Sequence, residues 1–202
     1  MKKKYVFIDK QSLKLVIVGD TGVGKSSLAS RLSSRPFQME YKPTVFDNFA
    51  ATISVDGKPY HLSMFDTAGK EDFNKLRVLS YINSDVFLVC FSVANPESFT
   101  NVQNSWVPEL RHHIPDTPFI LVGTQVDIRQ DKMDRQVVRT SFISTKQGID
   151  LASRIGAASY VECSSVSDCG IDDLKGDIIM ASQMGMETKC SKQTKCCSCK
   201  II

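Results

Sequence analysis

The 202-residue chain contains no apolar run near the roughly 18 residues that a membrane-crossing helix needs. Met1-Lys2-Lys3-Lys4 is not followed by the apolar core of a secretory signal. Those two absences give the expectation of a protein made and kept in the cytosol. Charge of one sign is scarce as well. A total of 25 Lys and Arg against 22 Asp and Glu leaves a net charge of +3, too small to argue for nucleic acid as a partner. Its distribution says more: Lys2, Lys3 and Lys4 at one end and Lys189, Lys192, Lys195 and Lys200 at the other concentrate the positive charge. Disulfide chemistry is disfavoured, because the 7 cysteines are an odd number and Cys190, Cys196, Cys197 and Cys199 crowd together near the end. Cys163 and Cys169 lie in the body of the chain, and Cys90, inside a strand-like run, reads as a small buried hydrophobe.

What the chain does have is ordinary globular composition, 42% hydrophobic and 23% charged, enough for one well-buried core. Apolar runs alternate with helical patterns. Leu13 to Val18 predicts a buried strand, residues 19 to 24 a loop and Lys25 to Leu32 a helix. Phe49 to Val55 and Tyr60 to Phe65 flank Asp56-Gly57, a dipeptide suited to a hairpin because the tight turn needs positive φ. Val86 to Phe91 and Phe119 to Val122 are apolar runs of the kind found in covered parallel strands. Pro96-Glu97 opens a helix toward His113, and residues 129 to 142 are polar enough for a surface insertion. A helix at Thr145 to Ile155, a strand at Ser159 to Cys163 and a helix at Ile171 to Met184 complete the pattern. This alternation predicts a mostly parallel sheet covered by helices on both faces, with one antiparallel hairpin strand. From Gly185 onward no periodic pattern remains, which predicts a flexible tail. Trp106 and the His112-His113 pair fall on the helix before Pro115 and are assigned to packing and surface.

Gly19-Asp20-Thr21-Gly22-Val23-Gly24-Lys25-Ser26 matches the phosphate-loop pattern of Gly, four residues, Gly-Lys-Ser/Thr, placed between a buried strand and a helix. Glycines allow the backbone to approach a polyphosphate, the helix start favours negative charge, Lys25 adds a point charge, and the Ser26 hydroxyl suits Mg²⁺. Such a loop specifies a nucleoside triphosphate without saying which. Thr124-Gln125-Val126-Asp127 follows the strand ending at Val122-Gly123. A carboxylate there can accept two hydrogen bonds from the N1–H and amine of guanine, a donor pair that adenine lacks. Loop aspartates are also ordinary turn formers and caps, so Asp127 alone leaves both readings open.

Taken together, the phosphate loop, Tyr41-Lys42-Pro43-Thr44-Val45-Phe46-Asp47-Asn48, Asp66-Thr67-Ala68-Gly69, Thr124-Gln125-Val126-Asp127 and Glu162-Cys163-Ser164-Ser165 resemble the ordered motifs of a Rho-family small GTPase. The likeness covers residues 12 to 184. It implies a six-stranded P-loop NTPase fold, with an N-terminal extension at 1–11, a G domain at 12–184 and a lipid-anchoring tail at 185–202. It implies GTP, GDP and Mg²⁺ as ligands. Gly19, Asp20, Gly22, Val23, Gly24, Lys25, Ser26 and Ser27 would hold the phosphates, Phe37 would pack on the guanine edge, and Thr124, Gln125, Asp127, Ser164 and Ser165 would hold the base. Thr44 would bind Mg²⁺ and sense the γ-phosphate beside Gly69, while Ser26 and, through water, Asp66 would complete the metal side. Effectors would dock on Thr44, Val45, Phe46 and Asp47 together with residues 66 to 81, signalling toward cytoskeleton and polarity. Exchange factors and a dissociation inhibitor are the implied regulators of a monomeric protein without nucleic acid partners. Phe65, where relatives carry Trp or Phe, bears on the choice of exchange factor.

Two positions depart from the family. Lys70 stands where a glutamine orients the attacking water, and its ammonium has donors but no acceptor, so it cannot do the same work. Thr21 stands where most relatives carry glycine, in space shared with an activating protein's arginine finger. The expectation is a switch held mainly in the GTP state. An ordinary cycling GTPase and a scaffold with a merely structural nucleotide are the competing readings, and the intact Thr44 and Asp66 argue against the scaffold. Cys199-Lys200-Ile201-Ile202 matches a prenylation signal, with Cys196 and Cys197 as candidate palmitoyl acceptors and the tail lysines adding attraction to anionic lipid. Lipid attachment to the cytoplasmic face of the plasma membrane or endomembranes, with a cytosolic fraction, is the expected location.

Overall fold

The computed structural model describes residues 11–36, 46–134 and 142–196. Its strands are β1 (Ser12–Gly19), β2 (Phe46–Val55), β3 (Lys58–Thr67), β4 (Val86–Ser92), β5 (Phe119–Thr124) and β6 (Tyr160–Glu162). They form one sheet in the order β2-β3-β1-β4-β5-β6, antiparallel between β2 and β3 and parallel elsewhere. This is the six-stranded sheet and single antiparallel hairpin expected from the alternation of runs. Asp56 and Gly57 take φ of 51° and 76°, so the β2–β3 turn has the mirror-image form whose twist matches a hairpin.

The central strands are apolar on both sides, and their alternation splits them between two cores. Leu13, Leu15 and Ile17 of β1 join Val86, Leu88 and Cys90 of β4 and Ile120 and Val122 of β5 on one face. That face is covered by α1 (Lys25–Leu32) and α7 (Ile171–Cys196). Val16, Val18, Phe87, Val89, Phe91, Phe119 and Leu121 point the other way. They meet Phe99 from α3 (Pro96–Asn101), Leu110 from α4 (Val107–His113), Trp106 from the π turn Val102–Trp106 between them, and Leu151 from α6 (Thr145–Ile155). Cys90 is buried in the first core, as expected, and burial pushes its thiol well above the usual range.

From β1 the chain turns to β2 and β3 on one side, then crosses to β4 on the other. The carboxyl ends of β1, β4 and β5 therefore open onto the crevice where such sheets bind ligands. Elements around it start where the sequence marks them. Asn95 accepts hydrogen bonds from the Glu97 and Ser98 amides to cap α3. Ser144 and Gln147 form a reciprocal capping box at the start of α6, and Gly156 ends it in the left-handed region.

Two elements differ from expectation. α7 continues through Cys196, past the end expected at Met184. Residues 185–196 lack an apolar stripe but also lack proline, so the absence of periodicity did not stop the helix. The polar segment 129 to 142 begins as helix α5 (Val126–Asp134), while residues 135–141 lie outside the described part. The expected helix from Pro96 to His113 is present but opens into a π turn just before Pro108, whose missing N–H cannot continue the regular ladder. Among the described residues no helix is long and apolar enough to cross a membrane.

Candidate functional site

Between β1 and α1 the backbone of Asp20 to Gly24 folds into an open cradle. Gly22 and Gly24 take φ of 81° and 89°, so neighbouring N–H groups can turn toward a common point. α1 begins without an acidic residue in its first turn and without a side-chain cap, which leaves its positive end available to an anion. Lys25 is 7% exposed, and its Nζ donates to the carbonyls of Gly19 and Asp20, both at 2.8 Å. Burial lowers its pKa from the usual lysine range, and the neighbouring Asp66 carboxylate works in the opposite direction.

Asp66, near the end of β3, is fully buried, and the hydroxyl of Ser26 donates to its Oδ2. Two hard oxygen donors from different elements thus meet beside the cradle. That pairing suits Mg²⁺, which takes one or two protein oxygens and fills its octahedron with phosphate and water.

The side expected to hold a base is built from β5 and the loop after β6. Thr124, 3% exposed, donates to the carbonyls of Val23 at 2.5 Å and Phe91 at 2.9 Å, tying β5 to the cradle. Gln125 Nε2 donates to the Gly22 carbonyl at 3.1 Å. Asp127 Oδ1 accepts from the hydroxyl of fully buried Ser164 at 2.6 Å, which orients the carboxylate and leaves its other lone pairs for a ligand. Ser165 follows, partly exposed. Arg129, assigned from sequence to a polar surface insertion, is instead largely buried. It donates to Glu162 Oε1 at 3.0 Å and to the Ile143 carbonyl at 2.8 Å, bracing the loop of Asp127 against that of Ser164.

Opposite lies the loop after β3. A Cβ on Gly69 would stand 2.4 Å from the Thr21 amide nitrogen and 2.7 Å from the Gly19 carbonyl, so only glycine permits this contact with the cradle. Lys70 comes next, exposed, as is Thr21. Thr21 and Lys70, the two positions expected to depart from the Rho pattern, therefore lie beside one point of backbone apposition. Phe46 and Asp47 lie exposed on edge strand β2, and the Phe46 ring stands 5.9 Å from Phe65. Phe37, Thr44, Val45, Cys197 and Cys199 lie outside the described residues, and Cys196 is the last residue of α7.

Sequence reading missed the residues that hold this loop. Arg77, in α2 (Asn74–Leu79) and 4% exposed, donates to the carbonyls of Ala68 at 2.9 Å and Lys70 at 3.2 Å. It pairs with Glu109 through bonds of 2.9 and 2.8 Å, and the Tyr81 hydroxyl donates to the same carboxylate. Trp106 packs in the second core, as expected, and has a further role: its Nε1 donates to Asp20 Oδ1 at 2.7 Å, and Asn101 Nδ2 donates to Asp20 Oδ2 at 2.8 Å. Asn101 and Trp106 are five apart, a spacing that an i→i+5 turn aligns and a regular helix does not, so the π turn explains why both reach one carboxylate. Pro108 inside a helical pattern was the available sequence signal.

Burial would raise the Glu109 carboxyl, but the hydrogen bonds from Arg77 and Tyr81 outweigh it and hold its pKa below the usual range. Its folded pKa is depressed, so its stabilisation is complete above the unfolded carboxyl range near ~4.3 and disappears as pH falls through the folded value. Glu109→Ala, which leaves Arg77 buried and unpaired, is expected to cost roughly 3 kcal/mol at pH 7 in urea unfolding. The gap should narrow below about pH 4; a gap unchanged at pH 3 would refute the pairing.

Residues 14–182 match the family model described as Ras family. That span contains the cradle, the Ser26–Asp66 pair, the base-side residues and the loop carrying Lys70.

Proposed function

The chain belongs to the Ras family, and on that premise we propose that it is a Rho-type GTP-binding switch, lipid-anchored to a membrane and slow to end its own signal. Members of the matched family bind GTP and GDP with Mg²⁺. The geometry of the cradle amides and Lys25, of Ser26 beside Asp66 and of Asp127 beside Ser164 supports assigning them to the polyphosphate, the ion and guanine respectively. When bound, the ion neutralises charge on the phosphate oxygens.

Slow hydrolysis rests on Lys70. At the position following Gly69, a catalytic side chain must accept a hydrogen bond from water and donate toward the phosphoryl oxygens at once. An ammonium can only donate. If Lys70 reaches the γ-phosphate it stabilises bound GTP as well as the transition state, and an interaction equal in both does not lower the barrier. The contact of Gly69 with Thr21 puts the second departure at the same place, where a branched side chain narrows the entry for an arginine finger.

In single-turnover hydrolysis of γ-labelled GTP, the protein is expected to be slow and to gain little from a Rho-type activating protein. A rate like that of ordinary cycling GTPases would overturn this reading.

The phrase Pro43-Thr44-Val45-Phe46-Asp47-Asn48 supports the Rho assignment, and effectors are proposed to bind Thr44 to Asp47 with residues 66 to 81 in the GTP state. Cys199-Lys200-Ile201-Ile202 supports prenylation, with Cys196 or Cys197 and the tail lysines as second signals for membranes of the cytoplasmic side. Mass spectrometry of the native C-terminal peptide is expected to find lipidated Cys199; an unmodified Cys199 followed by intact Lys200-Ile201-Ile202 would exclude the anchor.

A further inference from the structure

We propose that Ser92 is a positioning residue for nucleotide retention: it orients the Gln125 amide, and through that amide it holds the phosphate cradle at Gly22. Ser92 is the last residue of β4, 3% exposed, and its strand partner in β5 is Thr124, immediately before Gln125. Its hydroxyl accepts a hydrogen bond from the Ala94 amide at 3.2 Å and donates its single proton to Gln125 Oε1 at 2.5 Å. With that oxygen engaged, the NH₂ end of the amide faces the Gly22 carbonyl, 3.1 Å away. A reversed amide would set two acceptors against each other at Gly22.

The arrangement matters more because Gln125 has an unfavourable backbone. Its φ of 62° lies in the left-handed region that side-chain-bearing residues seldom occupy, so its side-chain bonds must hold it there. Ser92 is itself fixed from behind: its amide donates to Ser98 Oγ at 3.1 Å, and that hydroxyl donates to the carbonyl of the helix-capping Asn95 at 2.8 Å. A rigid strand end thus sets a side chain that spans to a Gly-rich loop, the segment of the cradle with the least conformational restraint of its own. Released from Ser92, the amide can turn, and the Gly22 carbonyl loses its donor.

The proposal rests on the guanine-nucleotide reading, and its test separates the two. Full-length protein is loaded with N-methylanthraniloyl-GDP, and its release into excess GDP is followed by fluorescence. Ser92→Ala is expected to release the nucleotide about fivefold to tenfold faster, as for loss of one buried hydrogen bond. Deuterium uptake over residues 20–24 of the GDP-bound protein should rise with it. Ser92→Thr, which keeps the hydroxyl, should stay within about twofold of the parent rate. In a Gln125→Met background, where no amide remains to orient, Ser92→Ala should change neither release nor uptake. An unchanged release rate in Ser92→Ala, or an equal acceleration in the Gln125→Met background, overturns the role of Ser92. Failure of the parent protein to take up the labelled GDP overturns the guanine-nucleotide reading and Ser92's role with it.

Discussion

Exchanging Lys70 for glutamine and Thr21 for glycine in the same chain is expected to raise activator-stimulated GTP hydrolysis by about 10³-fold or more, the lower end of what an arginine finger supplies. The gain should exceed the product of the single changes. Lys70→Gln restores a group that accepts from water and donates to phosphoryl oxygen, but Thr21 still narrows the space where the finger enters. Thr21→Gly opens that space, yet no side chain is then present to set the water. Residues acting as a unit in catalysis are strongly non-additive, and Gly69, in contact with the Thr21 amide, places these two side by side. Single-turnover rates of the four proteins, each with and without the activating protein, check this. Additive gains would show that the two positions act separately, and no gain in the double variant would show that hydrolysis is limited elsewhere.

Asp127→Asn is expected to lower affinity for guanosine nucleotides by a factor on the order of 10³ to 10⁴, somewhat below the largest rejections seen when a buried polar site meets a ligand it cannot pair. The substituted amide sets a donor or a single acceptor against the two N–H groups of guanine, where the carboxylate could receive both. Ser164 strengthens the effect, since its hydroxyl already occupies Oδ1 and would hold the new amide in one orientation. Xanthosine nucleotides, with a carbonyl in place of the amine, should recover much of the lost affinity. Competition titration of GDP against XDP on the parent and variant measures the exchange. Equal loss for both bases would mean that Asp127 supports the loop without reading the base.

Much of the fold is legible in the residues because each central strand announces itself. Runs such as Val86 to Phe91 are apolar on both faces, a pattern that suits a parallel strand covered on both sides. Asp56-Gly57 forms the hairpin it predicts, because few other dipeptides accept two positive φ angles. The end of α7 is less legible. α7 continues through residues 185–196, which carry no apolar stripe and no proline, so the absence of periodicity after Gly185 does not mark where it stops.

The cradle, Asp66 and Asp127 are likewise readable from the chain, because each lies in a short contiguous motif whose spacing is set by phosphate and base chemistry. By itself the sequence determined the family and the short motifs proposed here to meet a nucleotide, with Lys70 proposed to stand in place of a catalytic side chain. Tertiary structure alone decided what holds those groups still. Trp106 reaches Asp20 across 86 positions, Arg77 reaches Glu109 across 32, and Ser92 reaches Gln125 across 33. A buried donor must find an acceptor wherever the fold brings one, and that partner depends on sheet order and on a π turn in one helix, neither of which a local motif encodes.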